Sequence, residues 1–269
     1  MILTKENYFS LEASNEYFSV SQYKSFCECE AKAKAEVDGK FVRKQSEDQL
    51  VGSMVHAANE GTLDEFRKNN PALYCKQKGK EGQLLSKFKN AEITIDYMMN
   101  NKLIQRALSG EKERLFTSEM FGTKWKILID SYNPGIEIFT DLKIMSNFYD
   151  TFYNVEWGVR YNLMEQYGYL LQMAVYAEVE RLANNRDNCL QPHVVIITKQ
   201  VPPDSIILKN LLKMQPEYLS EIESNMPRFL AVKKGEQEPK MCNRCEWCRS
   251  VKSTKIMSYE DFANMVKKG

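Results

Sequence analysis

Hydrophobic and polar positions follow two different periods along this chain, and the change of period divides it. In SVSQYKSFCECEAKAKAEV, from Ser19 to Val37, the pattern is helical, with Ser19 or Ser21 placed to cap the first turn. Further helical stretches run from Glu47 to about Lys68 and from Leu84 to Leu108, both rich in helix formers. Residues 1 to 20 look irregular. From Lys112, KERLFTSEMFGTKWKILIDSYNPGIEIFTDLKIM changes to the β period, and Asn133-Pro134-Gly135 reads as a turn between two strands. A long helix then runs from Tyr161 to Asn184. HVVIITKQVPPDSIILKN, from His193, supplies a strand, a Pro-Pro break and a further strand, and Leu211 to Phe229 is helical. Helices flanking a mixed sheet predict an α/β or α+β fold, one domain over residues 1–269. The segments at about 19–30 and 240–250 form a small appendage.

IEIFTDLKI, residues 136–144, carries the first sign of chemistry. In a strand, Ile136, Ile138, Thr140, Leu142 and Ile144 share one face, and Glu137, Phe139, Asp141, Lys143 and Met145 the other. Asp141 and Lys143 therefore point the same way, which alone reads as a marginal ion pair. Asp130 changes the picture. It ends KWKILID, on the strand that the turn folds beside IEIFTDLKI, so two carboxylates lie close on one face. Left alone they repel, and a divalent cation is the natural compensation. Mg²⁺ takes oxygen ligands and keeps waters, so Asp130, Asp141 and the backbone carbonyl of Leu142 make an open site. Beside it, a protonated Lys143 orients water and stabilises charge developing on a phosphate.

In LVGSMVHAANEG, Gly52, His56 and Glu60 recur at i, i+4 and share a helix face. The glycine admits close approach, while His and Glu offer a ligand and an acid; a locally packed histidine is the plainer alternative. Gln172 and Tyr176 repeat the step in QMAVY, otherwise a polar edge on an amphipathic helix. In order, G-x-x-x-H-x-x-x-E, I-D, D-x-K eleven residues after that Asp, and Q-x-x-x-Y resemble the RecB-type branch of the PD-(D/E)XK nucleases, from about Ser19 to Cys248. Within that branch the likeness is to the RecE-like exonucleases (exodeoxyribonuclease VIII-like) of phages and prophages. KQVPPDSIIL resembles the Pro-rich turn and strand after their Q-x-x-x-Y helix.

The resemblance implies a PD-(D/E)XK core with His56, Asp130, Asp141 and the Leu142 carbonyl on Mg²⁺ or Mn²⁺, and Lys143 as catalytic lysine. Gln172 and Tyr176 would contact the DNA strand or orient Lys143; Glu60 and Glu119 would support the ligands or serve a second metal. It implies hydrolysis of linear double-stranded DNA from its ends, 5′→3′, leaving 3′ single-stranded tails for phage-type recombination. The expected setting is the cytoplasm of a bacterial or phage-infected cell. The expected assembly is a ring-shaped homo-oligomer, with a RecT-like single-strand annealing protein as partner. Ile129 in place of the family's Pro, and Asp141 in place of its more frequent Glu, are departures that occur widely in the superfamily.

Composition adds little until the cysteines. A 269-residue chain with 43% hydrophobic residues is ordinary globular protein, and 37 basic against 36 acidic residues neither argue for nor exclude nucleic acid. No apolar run resembles a membrane span, and MILTKENYFS has no signal-peptide pattern, so a cytosolic protein is expected. Lys76, Lys78, Lys80, Lys87 and Lys89 are either phosphate contacts or a solvated face. Seven cysteines in a reducing compartment point to metal chemistry. CNRCEWC sets Cys242, Cys245 and Cys248 as C-x-x-C-x-x-C, one thiol short of a tetrahedral site or a [4Fe–4S] cluster. SVSQYKSFCEC resembles the N-terminal S-x-S-x-x-x-x-F-x-x-C of iron–sulfur RecB-type nucleases, which implies Cys29, not Cys27, as the fourth. There the cluster staples the chain ends, but the last spacing here is shorter, so zinc and metal-free thiols stand beside [4Fe–4S]. Cys75 and Cys189 read as ordinary thiols. Two other functions stay in view: an iron–sulfur RecB-type nuclease for CRISPR adaptation or replication-intermediate trimming, and a non-enzymatic cysteine-metal DNA-binding protein. The second leaves the set of His56, Asp130, Asp141 and Lys143 unexplained.

Overall fold

In the computed structural model, which describes residues 1–154, 158–254 and 256–267, the helical and β periods segregate onto one sheet and its flanking helices. The chain opens with α1 (Leu11–Glu16), β1 (Tyr17–Phe18), α2 (Val20–Glu28) and α3 (Glu30–Val37). Then come α4 (Glu47–Glu60), α5 (Leu63–Asn69), α6 (Ser86–Asn100) and α7 (Lys102–Ala107). β2 (Glu111–Met120), β3 (Thr123–Asn133) and β4 (Ile138–Met145) lead through β5 (Thr151–Asn154) and β6 (Val159–Asn162) to α8 (Leu163–Gln166) and α9 (Tyr169–Ala183). β7 (Gln191–Thr198), β8 (Ser205–Leu208), α10 (Gln215–Lys234), α11 (Glu246–Val251) and α12 (Tyr259–Lys267) follow.

Several predicted helices break where backbone chemistry demands it. The helix begun at Ser19, whose side chain accepts from Gln22 N, stops at Cys29, held extended at φ −167°. The stretch 47–68 divides at Gly61, left-handed at φ 81°, and 84–108 at Asn101, whose side chain caps α7. The long helix over 161–184 starts late, because β6 runs to Asn162 and Gly168 turns the chain at φ 59°. Residues 1–20, expected to be irregular, contain α1 and β1.

The six-stranded sheet runs β1-β3-β4-β7-β8, with β2 also on β3. β2 and β3 pair antiparallel through Phe121-Gly122, both at positive φ (52° and 76°), the two-residue turn whose twist suits paired strands. β2 fills one edge of β3. β1 and β4 share the other, β1 at Lys124 and Trp125, β4 only at Ser131, Tyr132 and Asn133. Between them, residues 126–130 pair with neither, so β3 and β4 fork. β4 pairs parallel with β7 over eight residues, and α9 is the crossover that parallel pairing requires.

Both faces of β4 and β7 are covered, which is why HVVIIT reads as an unbroken apolar run. Phe139, Val194 and Ile196 pack with α2, α9 and α10; Leu142, Val195 and Ile197 pack with α4, α6 and α7. At the β1 end Phe18, Tyr23, Phe26, Trp125 and Phe229 form an aromatic cluster. Ile136, predicted on the strand, sits 60% exposed in the turn that precedes β4.

Candidate active site

The fork in the sheet is where the charges gather. The ladder between β3 and β4 ends at Ser131 and Thr140, one step short of Asp130 and Asp141, so the two aspartates are not a ladder pair. Leu142 N–H instead donates to Asp130 Oδ2 at 2.7 Å. The N–H and C=O of a strand residue point to the same edge, so the Leu142 carbonyl also faces the fork.

α4 brings His56 over this gap. A capping box of Ser46 and Gln49 starts the helix, and Val51, Met54, Val55 and Ala57 bury its inner face. Gly52, His56 and Glu60 lie on an adjoining stripe that borders open space, and a Cβ added at Gly52 meets nothing within 4 Å. His56 Nδ1 stands 3.6 Å from Asp130 Oδ1, too far for a hydrogen bond.

Asp141 is buried at 3% exposure and held from two sides. Gln172 Nε2 donates to its Oδ1 at 2.9 Å, and Lys143 Nζ lies 2.6 Å from its Oδ2, an atom with no well-formed hydrogen bond. The ammonium also rests 4.7 Å above the Tyr169 ring. Burial pushes the Asp130 carboxyl above its ordinary value and Asp141 adds to this, against His56 and Lys143. Burial pulls Lys143 down, but the two aspartates outweigh it and raise the lysine. Lys143 is therefore a cation at neutral pH, suited to holding water and negative charge rather than removing a proton.

Glu60 is raised to about 7, by burial first and then by Glu113. Glu113 is a residue that sequence reading missed. Lys112 pairs with Ser131 and Arg114 with Ile129, which sets Glu113, at φ 50°, opposite Asp130. Counting back from the Phe121-Gly122 turn would have found it. Glu119 is the correction: it pairs with Lys124 and borders a different depression. Lys124 lies six steps along β3 from Asp130, about 20 Å, so Glu119 does not reach the fork.

Glu60, Glu113, Asp130, Gln172 and Tyr176 line a cavity of about 610 Å³ with His56. Burial holds the Tyr176 phenol well above its ordinary value. A second groove of about 910 Å³, bordered by Gly52, Lys143, Tyr169 and Lys199, shares Phe9, Ser53 and His56 with the first. An open path thus passes on both sides of His56. Lys24, on α2, reaches the same region, donating to Tyr167 O at 2.8 Å; burial, with Lys143 nearby, pushes it down to about 8.

Away from the fork, Cys29, Cys242, Cys245 and Cys248 come together with all four Sγ atoms within 4.8 Å of one another. Among the described residues this is the set of His, Cys, Asp and Glu so tightly gathered. Cys27 is exposed and apart from it. Burial raises the Cys242 thiol, but the Arg244 and Cys245 backbone N–H groups and neighbouring thiols bring it down to about 6. Among the described residues no helix is long and apolar enough to cross a membrane.

The profile of a family described as a PDDEXK-like domain of unknown function, DUF3799, matches residues 19–251. A crystal structure from Eubacterium rectale described as a "Putative exonuclease" is 37% identical, covers 97% of this chain and 98% of its own, and superposes with a TM-score of 0.89. The solved structure of SSO0001 is 12% identical over 85% of this chain and 96% of its own, and its TM-score of 0.31 carries no weight. No curated protein matches. With the profile spanning both the forked sheet and the four cysteines, and a relative of that identity aligned almost end to end, this chain belongs to the PDDEXK-like family DUF3799.

Proposed function

We propose that the protein is a metal-dependent exonuclease that hydrolyses linear double-stranded DNA. The observation that carries this reading is the fork itself. There His56, Asp130 and the Leu142 carbonyl edge face one open path, with Lys143 on the border of the adjoining groove and the buried Asp141 paired to it. The "Putative exonuclease" relative supports it.

The donor set fits a hard divalent cation, Mg²⁺ or Mn²⁺: carboxylates with spare lone pairs, an imidazole and a carbonyl, with Asp130 already oriented by Leu142 N–H. His56, Asp130, Asp141 and the Leu142 carbonyl would hold it. When bound, such an ion polarises a phosphate and lowers the pKa of water. The chain's own residues do the rest. Asp141 and the Tyr169 ring fix the Lys143 ammonium beside the fork, where it orients the attacking water and meets charge developing on the phosphate. Gln172 keeps Asp141 from rotating.

Resemblance to RecE-like enzymes favours 5′→3′ polarity, 3′ tails for recombination, a ring-shaped homo-oligomer and a RecT-like annealing partner. The test is degradation of end-labelled linear duplex and of closed circles, with Mg²⁺ or EDTA, by the parent and Asp130→Asn. Metal-dependent loss of linear DNA alone, abolished in the variant, is expected. Cleavage in EDTA, equal attack on circles, or an active variant would overturn the proposal.

A further inference from the structure

Cys29 sits at the α2–α3 junction, more than 200 residues from Cys242, Cys245 and Cys248, yet the four sulfurs meet. Cys29 Sγ lies 3.5 Å from Cys248 Sγ and 3.8 Å from Cys245 Sγ, and Cys242 Sγ lies 3.9 Å from Cys248 Sγ. These spacings discriminate between the metal centres that four thiolates can hold. Around one zinc ion with Zn–S bonds of about 2.3 Å, a tetrahedron of sulfurs has edges of about 3.8 Å. In a [4Fe–4S] cluster each thiolate binds a different iron from outside the core, which sets the sulfurs about 6 Å apart. The observed cage is too small for that cluster. Cys29 and Cys248 are 5% and 0% exposed and pack with Ala31 and Trp247.

We infer that Cys29, Cys242, Cys245 and Cys248 form a closed tetrathiolate zinc site. The local backbone is shaped for thiolates. Asn243, at φ 62°, turns the chain so that Cys245 N–H points at Cys242 Sγ (3.3 Å), and Cys248 N–H points at Cys245 Sγ (3.5 Å). Such donors favour the charged sulfur that zinc needs over the neutral thiol. With four protein ligands no position stays open, so the site is structural.

What it braces is specific. The same junction is tied by Ala31 N–H to Lys240 O (3.1 Å), Lys240 N–H to Glu30 Oε2 (2.8 Å) and Arg228 to Glu30 (2.7 Å). α2, capped by Ser19 and Cys29, contributes Ser21 and Lys24 to the wall of the active-site cavity, beside Ser19 itself. The zinc thus fixes one wall of that cavity to the segment after α10.

The test is elemental analysis and acid-labile sulfide assay of the full chain purified without oxygen, with cobalt exchange read by visible absorption. One zinc per chain, no sulfide, colourless protein, and the d–d and thiolate charge-transfer bands of tetrahedral cobalt are expected. Cys245→Ser loses the metal and Cys27→Ser retains it. Iron with acid-labile sulfide in a brown protein overturns the inference, as does metal-free protein whose four thiols all titrate with reagent in the folded state. Because the parent chain alone decides the outcome, misfolding of Cys245→Ser leaves the test intact. None of these readouts depends on nuclease activity.

Discussion

Removing one member of the Asp141–Lys143 pair should cost more than removing both. Their side chains are 5% and 15% exposed, and nitrogen and oxygen stand 2.6 Å apart. At an effective dielectric of about 20 the attraction is about 6 kcal/mol. Desolvation of the two ions offsets most of it, so the pair's net contribution is small while an unpartnered survivor is expensive. Lys143→Met keeps the stem against Tyr169 but leaves a buried carboxylate with only the Gln172 amide, costing about 3 kcal/mol. Asp141→Asn keeps an acceptor for Gln172 and leaves the ammonium on the Tyr169 face, costing about 2 kcal/mol. The double variant removes both charges at similar volume and should return to within about 1 kcal/mol of the parent, a coupling of about 4 kcal/mol in the cycle. Urea unfolding in EDTA, followed by circular dichroism and by fluorescence, in which the buried Trp125 takes part, measures all four proteins. Simple additivity, or a coupling under about 1 kcal/mol, would refute the claim that these two charges hold each other in place.

Three further outcomes test other parts of the site. Glu60 is raised from 4.5 to about 7, so the folded metal-free protein keeps a proton that the unfolded chain has lost. Its stabilising effect is complete below pH 4.5 and fades as pH rises through about 7. After screening of this partly exposed group the loss is about 1 kcal/mol, and Glu60→Gln should flatten urea midpoints across that window; an unchanged slope sinks the assignment. Gly52→Ala should stabilise α4 by about 0.5–1 kcal/mol in thermal unfolding. Gly52→Phe should fold yet raise KM for linear duplex at least about tenfold, a loss of about 1.4 kcal/mol; full activity would mean that substrate does not run along α4. Glu119→Gln should cleave within about twofold of the parent, since surface changes remote from a site are nearly neutral, and an inactive but folded variant would contradict the distance argument.

What could be read from residues alone was whatever depends on period. The i, i+4 stripe of Gly52, His56 and Glu60 and the same-face placement of Asp141 and Lys143 follow from helix and strand geometry. They stand where that geometry put them. The fork was not legible, because it depends on β1, two residues in a stretch without a clear period, docking at Lys124 and Trp125. The place of Glu113 was not legible either, because the Phe121-Gly122 turn lacks the Asn or Asp that usually marks such turns, and strand register hangs on its position. The breaks at Cys29 and Asn101 are set by tertiary ties and a side-chain cap, which leave the helical period on either side unchanged.

The fork also explains how a sheet buried on both faces accommodates a charged site at its centre. Had the ladder continued, Asp130 and Asp141 would oppose each other across adjacent strands, where like charges destabilise. Ending the ladder at Ser131 and Thr140 separates them and frees Leu142 N–H, which would be an unsatisfied buried donor had Asp130 not accepted it. One carboxylate thereby replaces a strand partner and stays oriented, while the other is held by Lys143 and Gln172. Each arm has its own anchor: β3 by its ladder with β2 and the aromatic cluster at β1, β4 by eight residues paired with β7. Neither arm relies on the other near the site, so the gap is held open by rigid elements. That independence keeps the donor groups in place without help from a ligand.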